Sequence, residues 1–328
     1  MQHGRHVRSL AGREKARGLG SKVCVSHPLR SLLTPGFEAM NKKVVWFIPS
    51  AFLIGVVLVY PALRTFALSF YTVDVTNSFQ ADFAGLRNFA RLALDSRFHT
   101  TLWTTIVFAA TTVLIEFVVG LVLALSADTW SRGRTAVRTI LLIPWMLPTA
   151  VIAVLWAWMF NDQYGIINSL LTRAGIIGSP ISWLGDPTAA FWALVIADAW
   201  KTTPFVFLIL LAGLQSIPHE LYEALEIDGG GSWSKFRLIT WPFLAPFVFV
   251  ALIFRIINAS SVFDLVYVMT GGGPGGSTET LSVYAYQTMM RYLDFGYAAA
   301  LASATVVLLG LTALTLYLVL LRRNEERG

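Results

Sequence analysis

The sequence predicts an all-α membrane protein with six transmembrane helices and both termini in the cytoplasm. Of its 328 residues, 55% are hydrophobic and only 13% are charged, whereas soluble domains carry about 25% charged residues. Six apolar stretches each exceed the roughly 20 residues that a helix needs to cross a bilayer core. Connections rich in lysine and arginine alternate with connections that contain few of them. This bias indicates the orientation of the chain in the membrane.

The six predicted spans cover residues 44–66, 102–127, 137–160, 189–214, 242–268 and 298–321. Prolines interrupt several of them, which membrane helices tolerate when neighbouring groups satisfy the freed carbonyls. The first span is expected to be retained, because no small-residue cleavage site ends it.

The basic residues place the connections on two sides of the membrane. Of the 25 lysines and arginines, 17 fall in the segments 1–43, 128–138, 214–240 and 322–328, and five fall in the intervening connections. Cytoplasmic loops carry this excess. The net charge of +6 therefore reflects topology, and we expect membrane lipid but no nucleic acid as a partner.

The terminal segments lie outside the predicted permease domain, residues 44–321. Residues 1–43 are basic and weakly apolar, which predicts a disordered tail. Met40, followed by Asn and two Lys, resembles a natural start, so an over-long gene start is the alternative for residues 1–39. Residues 322–328 form a short cytoplasmic tail.

The connection 214–240 has the pattern of a helix, a glycine turn and a second helix. Ser216 and Ser232 are candidate N-caps, and Gly229 permits the backbone angles that end a helix. The first helix carries four acids, Glu220, Glu223, Glu226 and Asp228. Surface helices that bind lipid usually carry Lys and Arg instead. Docking to a protein partner is therefore favoured over lipid anchoring.

These residues resemble the EAA loop of binding-protein-dependent ATP-binding cassette importers. The loop begins Glu223-Ala224-Leu225-x-x-Asp228-Gly229-Gly230 and continues with Phe236, Ile239 and Pro242 at the family's spacing. Leu225, Gly230 and Trp241 depart from the usual residues. The segments 199–205, 212–218, 263–264 and 270–274 are similar to the sugar-permease branch, the maltose- and trehalose-type family, and the resemblance covers about residues 44–321.

The resemblance implies an assembly and a joint within it. It implies a second homologous permease subunit, two ATPase subunits that hold ATP and Mg, and an extracytoplasmic solute-binding protein. The first helix of the loop would be the coupling helix that docks on an ATPase. The residues implied in coupling are Glu223, Ala224, Asp228, Gly229, Phe236 and Pro242.

Polar residues within the spans are candidates for the solute pathway. The predicted spans contain or adjoin the charged residues Glu116, Asp198, Lys201 and Arg255. Charges at a helix centre cost about 2.5–3.5 kcal/mol on insertion scales and usually face the bundle or a water-filled cavity. Asp198 and Lys201 are three residues apart, which favours an ion pair within one helix; contacts between subunits or with substrate are the alternatives. The predicted pathway residues are Lys201, Asn258, Ser261, Phe263 and Asp264, with polar helix–helix contacts as the alternative.

The predicted function is an importer permease subunit for a sugar, oligosaccharide or polyol, working by alternating access in the inner membrane of a prokaryote. We expect no cofactor on this chain, because it has no phosphate-binding loop motif and no His/Cys pattern with metal spacing. The alternatives are an ion-gradient-driven secondary transporter, a membrane enzyme, and the same importer with a non-sugar cargo.

Overall fold

The computed structural model describes residue 47 and residues 49–74, 80–129 and 134–325. The predicted tail, the proposed start at Met40 and the last three residues lie outside the described residues. The chain divides into two compact units, Met1–Tyr60 and Pro61–Gly328. In the first unit the described residues are helical and include the π-helical turn Gly55–Val59, and the residues from Pro61 onward form the second unit.

The first half of the chain is dominated by one long helix. A π-helical turn at Gly55–Val59 leads into α1, and a short hairpin and a short helix precede the long helix α3. The elements are α1 (Tyr60–Leu68), β1 (Tyr71–Asp74), β2 (Gln80–Phe83), α2 (Arg87–Leu94), α3 (Ser96–Thr129), α4 (Arg134–Met146), α5 (Thr149–Met159) and α6 (Ile166–Arg173).

The second half contains three further long helices and the connections between them. The elements are α7 (Pro187–Gln215), α8 (His219–Ile227), α9 (Ser232–Lys235), a π-helical turn (Phe236–Thr240), α10 (Trp241–Ser260), α11 (Asp264–Met269), α12 (Leu281–Met290) and α13 (Phe295–Glu325). The only sheet in the described part of the chain pairs β1 with β2 in antiparallel register.

Five helical stretches are long and apolar enough to cross a membrane: Pro49–Leu68, Ser96–Ala127, Pro187–Gln215, Ser232–Ser260 and Phe295–Leu318. The predicted third span, 137–160, is instead a pair of helices bent by 96° between Met146 and Thr149. The bend falls at Pro148, which caps α5 in an extended conformation. Because a proline disfavours α geometry in the residue before it, the helix breaks there.

The predicted fifth span, 242–268, is interrupted: its start agrees with the start of α10 at Trp241, but its last residues do not belong to that helix. The helical stretch begins at Ser232 and ends at Ser260, and a break at 261–263 separates it from α11. At the break, the Ser261 hydroxyl donates to the carbonyl of Ile257 at 2.9 Å and to that of Asn258 at 3.2 Å. Side chains of this type compete with the helical backbone pattern, so a serine pair here favours termination.

Helices α3, α7 and α10 pack against one another and form the centre of the second unit. Two glycines allow the close approach. A Cβ on Gly120 of α3 would lie 3.0 Å from Val206, and one on Gly213 of α7 would lie 2.8 Å from Phe247. The buried side chains between these helices include Ala124, Phe207, Leu210, Leu244 and Ala251.

The two ends of this three-helix centre are different in character. At one end, Ala127 of α3 packs in the same cluster as Leu214 and Ile239, which flank the connection 214–240. At the other end, the backbone N–H of Leu281 donates to Thr105 of α3 at 3.0 Å. The connection 214–240 and the segment 270–292 therefore lie at opposite ends of the spans.

Candidate functional site

The connection between α7 and α10 is a helical hairpin whose inner side is fastened to the spans. On α8, Tyr222 and Leu225 pack against the core that α3, α7 and α10 share. The Tyr222 hydroxyl also lies 3.0 Å from Thr240 Oγ1, at the start of the last of these helices. Lys235 pairs with Glu226 across the hairpin. Movement of the hairpin is therefore coupled mechanically to α10.

The outer side of this hairpin is exposed in the described part of the chain. Ile227 at the tip is 87% exposed and Trp233 is 72% exposed. Glu223, Ala224 and Asp228 are also exposed. Two large apolar side chains therefore stand exposed beside acids at the tip of the hairpin.

The glycine turn has two positions with different requirements. Gly229 has a φ of +78°, which favours glycine, although a Cβ there would meet nothing within 4 Å. The N–H of Gly230 donates to the Leu225 carbonyl at 2.8 Å, which closes the helix end. A Cβ on Gly230 would lie 2.5 Å from Leu225 Cγ. Gly230 is therefore required for steric reasons, so the turn does not depend on Gly229 alone.

Two predicted caps of the hairpin are wrong. Ser216 does not cap α8, because its hydroxyl donates back to the Gly213 carbonyl at 2.7 Å and Pro218 occupies the N-cap. Ser232 begins α9 without a side-chain cap. The Asp228 carboxylate accepts no hydrogen bond from the described residues, so it is a free acid at the tip and not a brace for the turn.

Phe236 and Pro242 lie where the hairpin joins the span. Phe236 stacks on Trp233 with a centroid distance of 5.8 Å and an interplanar angle of 24°. Pro242 occupies the first turn of α10, where its missing N–H has no intrahelical partner to lose. Both residues shape the hairpin base, whereas the exposed acids form its surface.

A buried ionic network joins the three central helices. Arg255 of α10 donates to Glu116 of α3 through Nε at 2.5 Å and Nη2 at 2.7 Å. It also donates to Asp198 of α7 at 3.0 Å. Thr202 donates its hydroxyl to Glu116 at 2.5 Å. The network satisfies charges that would otherwise be costly inside a membrane.

This network corrects one sequence prediction. Asp198 pairs with Arg255 of another helix, and within the described residues it forms no ion pair with Lys201. Lys201, one helical turn from Asp198, is half-buried. The sequence identified all four charged residues as interior but could not pair them, since Glu116 and Arg255 lie 139 positions apart.

Four of the five predicted pathway residues lie around the break between α10 and α11, and Lys201 lies on α7. Asn258, Ser261 and Asp264 are exposed, and Phe263 is half-buried. The Asn258 amide donates to the Phe254 carbonyl at 3.3 Å. In one continuous helix, Asn258 and Asp264 would lie on neighbouring faces. Because the helix ends between them, this relationship does not hold.

An aromatic group adjoins this break. Phe263 stacks on Tyr267 at 5.2 Å with an interplanar angle of 14°, and Tyr286 of α12 lies 5.0 Å from both rings. No sequence pattern marks Tyr286, because its contact with these two rings depends on how α12 folds back. No group of three His, Cys, Asp or Glu side chains that could hold a metal occurs within residues 47–325 as far as they are described.

Comparisons with known proteins give this geometry a family. Residues 116–326 match the family model described as "binding-protein-dependent transport system inner membrane component". The trehalose/maltose transport system permease protein MalF of Thermococcus litoralis is 44% identical over 259 residues, which cover 78% of this chain and 86% of that one. The sulfoquinovosyl glycerol transport system permease protein SmoG of Agrobacterium fabrum is 40% identical over 282 residues, which cover 86% of this chain and 91% of that one.

A solved structure shares the fold. The crystal structure of a bacterial ABC transporter involved in the import of the acidic polysaccharide alginate contains a chain with a TM-score of 0.75 and 21% identity, and the match covers 87% of this chain and 98% of that one. With the apolar helices and the hairpin between α7 and α10, these matches show that the chain belongs to the inner-membrane permease family of binding-protein-dependent ABC transport systems.

Proposed function

We propose that the chain is a permease subunit of an ATP-driven importer for a sugar or oligosaccharide, and that the hairpin between α7 and α10 is its joint with an ATPase. The proposed joint with an ATPase rests on one observation, the exposed tip of the hairpin. Ile227, at 87% exposure, lies beside the acids Glu223 and Asp228 on an element that is otherwise fastened to the spans. A basic cleft with an apolar floor on the ATPase is the matching partner surface.

The buried network explains how a displacement of the hairpin reaches the membrane. Tyr222 and Leu225 fasten the hairpin to α10, and Arg255 fastens that helix to α3 and α7. The three helices therefore move as one block. Alternating access, in which ATP binding on the partner opens the solute pathway outward and hydrolysis resets it, requires such a block.

Sugar as cargo is supported by the relatives and by the residues at the break. The similar permeases named above serve trehalose, maltose and sulfoquinovosyl glycerol systems. Asn258, Ser261 and Asp264 present exposed polar groups next to the Phe263 ring. Polar groups beside aromatic faces suit a hydroxyl-rich solute.

The remaining assembly is part of this proposal. One chain with one hairpin implies a second permease, two ATPase subunits that hold ATP and Mg, and a solute-binding protein outside. The bent pair α4 and α5 would complete six spans with both termini inside. Family membership favours this over an ion-gradient-driven transporter, and a non-sugar cargo is the alternative that the test must address.

The test is purification of the complex with its co-expressed neighbours, followed by reconstitution in nanodiscs. ATP hydrolysis is measured with the binding protein and a panel of trehalose, maltotriose, lactose, an amino acid and phosphate. We expect stimulation by at least one saccharide and by neither of the other solutes. Stimulation by the amino acid or phosphate alone would reject the sugar assignment.

A further inference from the structure

A polar cavity of about 570 Å³ opens at the end of the spans opposite the hairpin. Its size lies within the range of about 300–1,000 Å³ that small-molecule sites occupy. One wall is the glycine-rich segment 271–276, and the others come from the start of α3 and from α12. All of these residues belong to the second compact unit.

The wall of this cavity is held by an ion pair whose carboxylate is buried. Arg97 donates to both carboxylate oxygens of Glu279, at 2.9 and 2.7 Å, and Glu279 is only 3% exposed. Arg97 also donates to Gln287 at 2.9 Å, and Gln287 in turn donates to the Gly271 carbonyl at 3.0 Å. The guanidinium is thus paired with a carboxylate, and four of its five N–H donors have protein acceptors, the fourth being the Tyr292 hydroxyl at 3.3 Å.

Other donors along the cavity are free. The Arg291 side chain is exposed and makes no hydrogen bond with the described residues. The backbone N–H groups of Gly275 and Gly276 donate to no carbonyl of the described chain. These two glycines have φ values of +62° and +83°, which turn the segment so that it lines the cavity. Free donors of this kind recognise hydroxyl and other oxygen groups.

An aromatic cavity of about 690 Å³ adjoins the polar one and shares Gly271, Gln287 and Arg291 with it. Tyr267 and Tyr286 line it, both are exposed, and their rings are 5.0 Å apart at 70°. Phe263 stacks on Tyr267 and so fixes the orientation of that ring. The result is a rigid aromatic wall beside a row of polar donors.

We propose that these adjoining cavities form a saccharide-binding cradle at the outer end of the permease, distinct from the predicted pathway at Lys201 and Asn258. A pyranose ring has an apolar C–H face that packs on an aromatic ring, and hydroxyl groups at its edge. Tyr286 supplies the face, and Arg291 with the free glycine N–H groups supplies the hydroxyl partners. The cradle rests on the proposed sugar cargo and would receive the saccharide before it enters the spans.

The test uses the purified complex without its binding protein, in nanodiscs, because maltoside detergents carry a sugar headgroup. Saturation-transfer NMR is recorded with trehalose, maltotriose, lactose and diacetylchitobiose as probes. We expect binding of at least one probe, and a loss of affinity of at least tenfold in Tyr286→Ala and in Arg291→Gln. Tyr286→Phe, which keeps the ring, should bind normally.

Two matched controls separate the cradle from general surface effects. Tyr164→Ala and Arg173→Gln change exposed residues that line neither cavity and should leave probe binding unchanged. If no probe binds, or if the cradle variants bind as the wild type does, there is no cradle. If only the affinity for the solute-loaded binding protein falls in the cradle variants, the surface is a protein-docking face and the proposal is likewise rejected.

These outcomes are independent of the proposed function. Saccharide-stimulated ATP hydrolysis with normal probe binding in Tyr286→Ala would preserve the importer and reject the cradle. Probe binding that depends on Tyr286 and Arg291, without stimulation by any saccharide, would preserve the cradle and reject sugar as the transported solute.

Discussion

Arg255 and Glu116, from two different helices of the central bundle, form a two-point ion pair with N–O distances of 2.5 and 2.7 Å. The Glu116 side chain is completely buried, and Asp198 supplies a second carboxylate to the same guanidinium at 3.0 Å. Because α3, α7 and α10 each contribute one charge, the pair fixes how the three helices meet.

We predict that Arg255→Met destabilises the assembled complex by about 3–5 kcal/mol, because it leaves two carboxylates buried without a cation. The triple variant Glu116→Gln, Asp198→Asn, Arg255→Met should be closer to wild type, since no buried charge remains. The measurement is the thermal unfolding midpoint of the complex in nanodiscs. Equal midpoints for wild type and Arg255→Met would show that the network does not hold the bundle together.

The hairpin turn offers a matched pair of glycines. Gly230→Ala places a Cβ 2.5 Å from Leu225 Cγ and 2.8 Å from its carbonyl oxygen, whereas a Cβ on Gly231 meets nothing within 4 Å. We expect Gly230→Ala to lower solute-stimulated hydrolysis at least several-fold and Gly231→Ala to leave it unchanged. The same loss in both variants, or in neither, would be inconsistent with the turn described here.

Gly229 provides a second, purely conformational test. Its φ of +78° costs a residue with a Cβ about 1–2 kcal/mol, and a β-branched residue more. Gly229→Val should therefore weaken ATPase co-purification more than Gly229→Ala does, with Gly231→Val as the control at a neighbouring position. Normal co-purification of Gly229→Val would mean that the tip tolerates a distorted turn.

The predicted pathway can be tested separately from the joint. Lys201→Met and Asn258→Ala should each raise the KM of solute uptake at least threefold, while ATPase co-purification stays at the wild-type level. Both residues are remote in sequence from the hairpin tip, and neither belongs to the Arg255 network. An unchanged KM for every saccharide tested would remove these two residues from the pathway.

The end of the bundle opposite the hairpin is fastened by Asp95. Tyr284 and Tyr297 each donate a hydroxyl to its carboxylate at 2.5 Å. Burial opposes ionisation, but these hydrogen bonds and two backbone N–H groups outweigh it and lower the pKa of Asp95. The stabilisation is therefore complete above the ordinary carboxyl pKa and is lost as the pH falls through the lowered pKa.

Asp95→Asn should accordingly destabilise the complex at neutral pH by about 1–2 kcal/mol, since a neutral amide accepts these hydrogen bonds less strongly. The readout is the unfolding midpoint at neutral and acidic pH, with Asp162→Asn at an exposed position as control. The variant should lose less stability than the wild type on acidification. An identical midpoint at neutral pH would count against a role for this cluster.

Sequence patterns predicted much of this architecture because apolar length and glycine placement are local properties. The stretches around α3, α7, α10 and α13 and the hairpin at 219–235 follow from such local signals. The bend at Pro148 and the break at 261–263 were missed, because membrane helices often continue through prolines and serines. Only the packing of neighbouring helices decides which of these positions interrupts a helix.

Pairings across the chain could not be predicted for a different reason. The sequence showed that Glu116, Asp198 and Arg255 are interior, since charges in apolar stretches need partners. Which charge meets which depends on the rotation and register of three helices. The contact of Arg97 with Glu279, separated by 182 positions, and the aromatic group around Tyr286 depend on the same long-range packing.

The most direct test of the central claim, that the hairpin is the joint with an ATPase, is site-directed cross-linking in the purified complex. The chain has one cysteine, so Cys24→Ser provides a background without thiols in this subunit. Ile227→Cys in that background is labelled with a maleimide photo-cross-linker, and Tyr164→Cys serves as the matched exposed control. We predict that Ile227→Cys cross-links to the ATPase subunit and Tyr164→Cys does not; cross-linking of Ile227→Cys to lipid alone, with the ATPase present, would contradict the account.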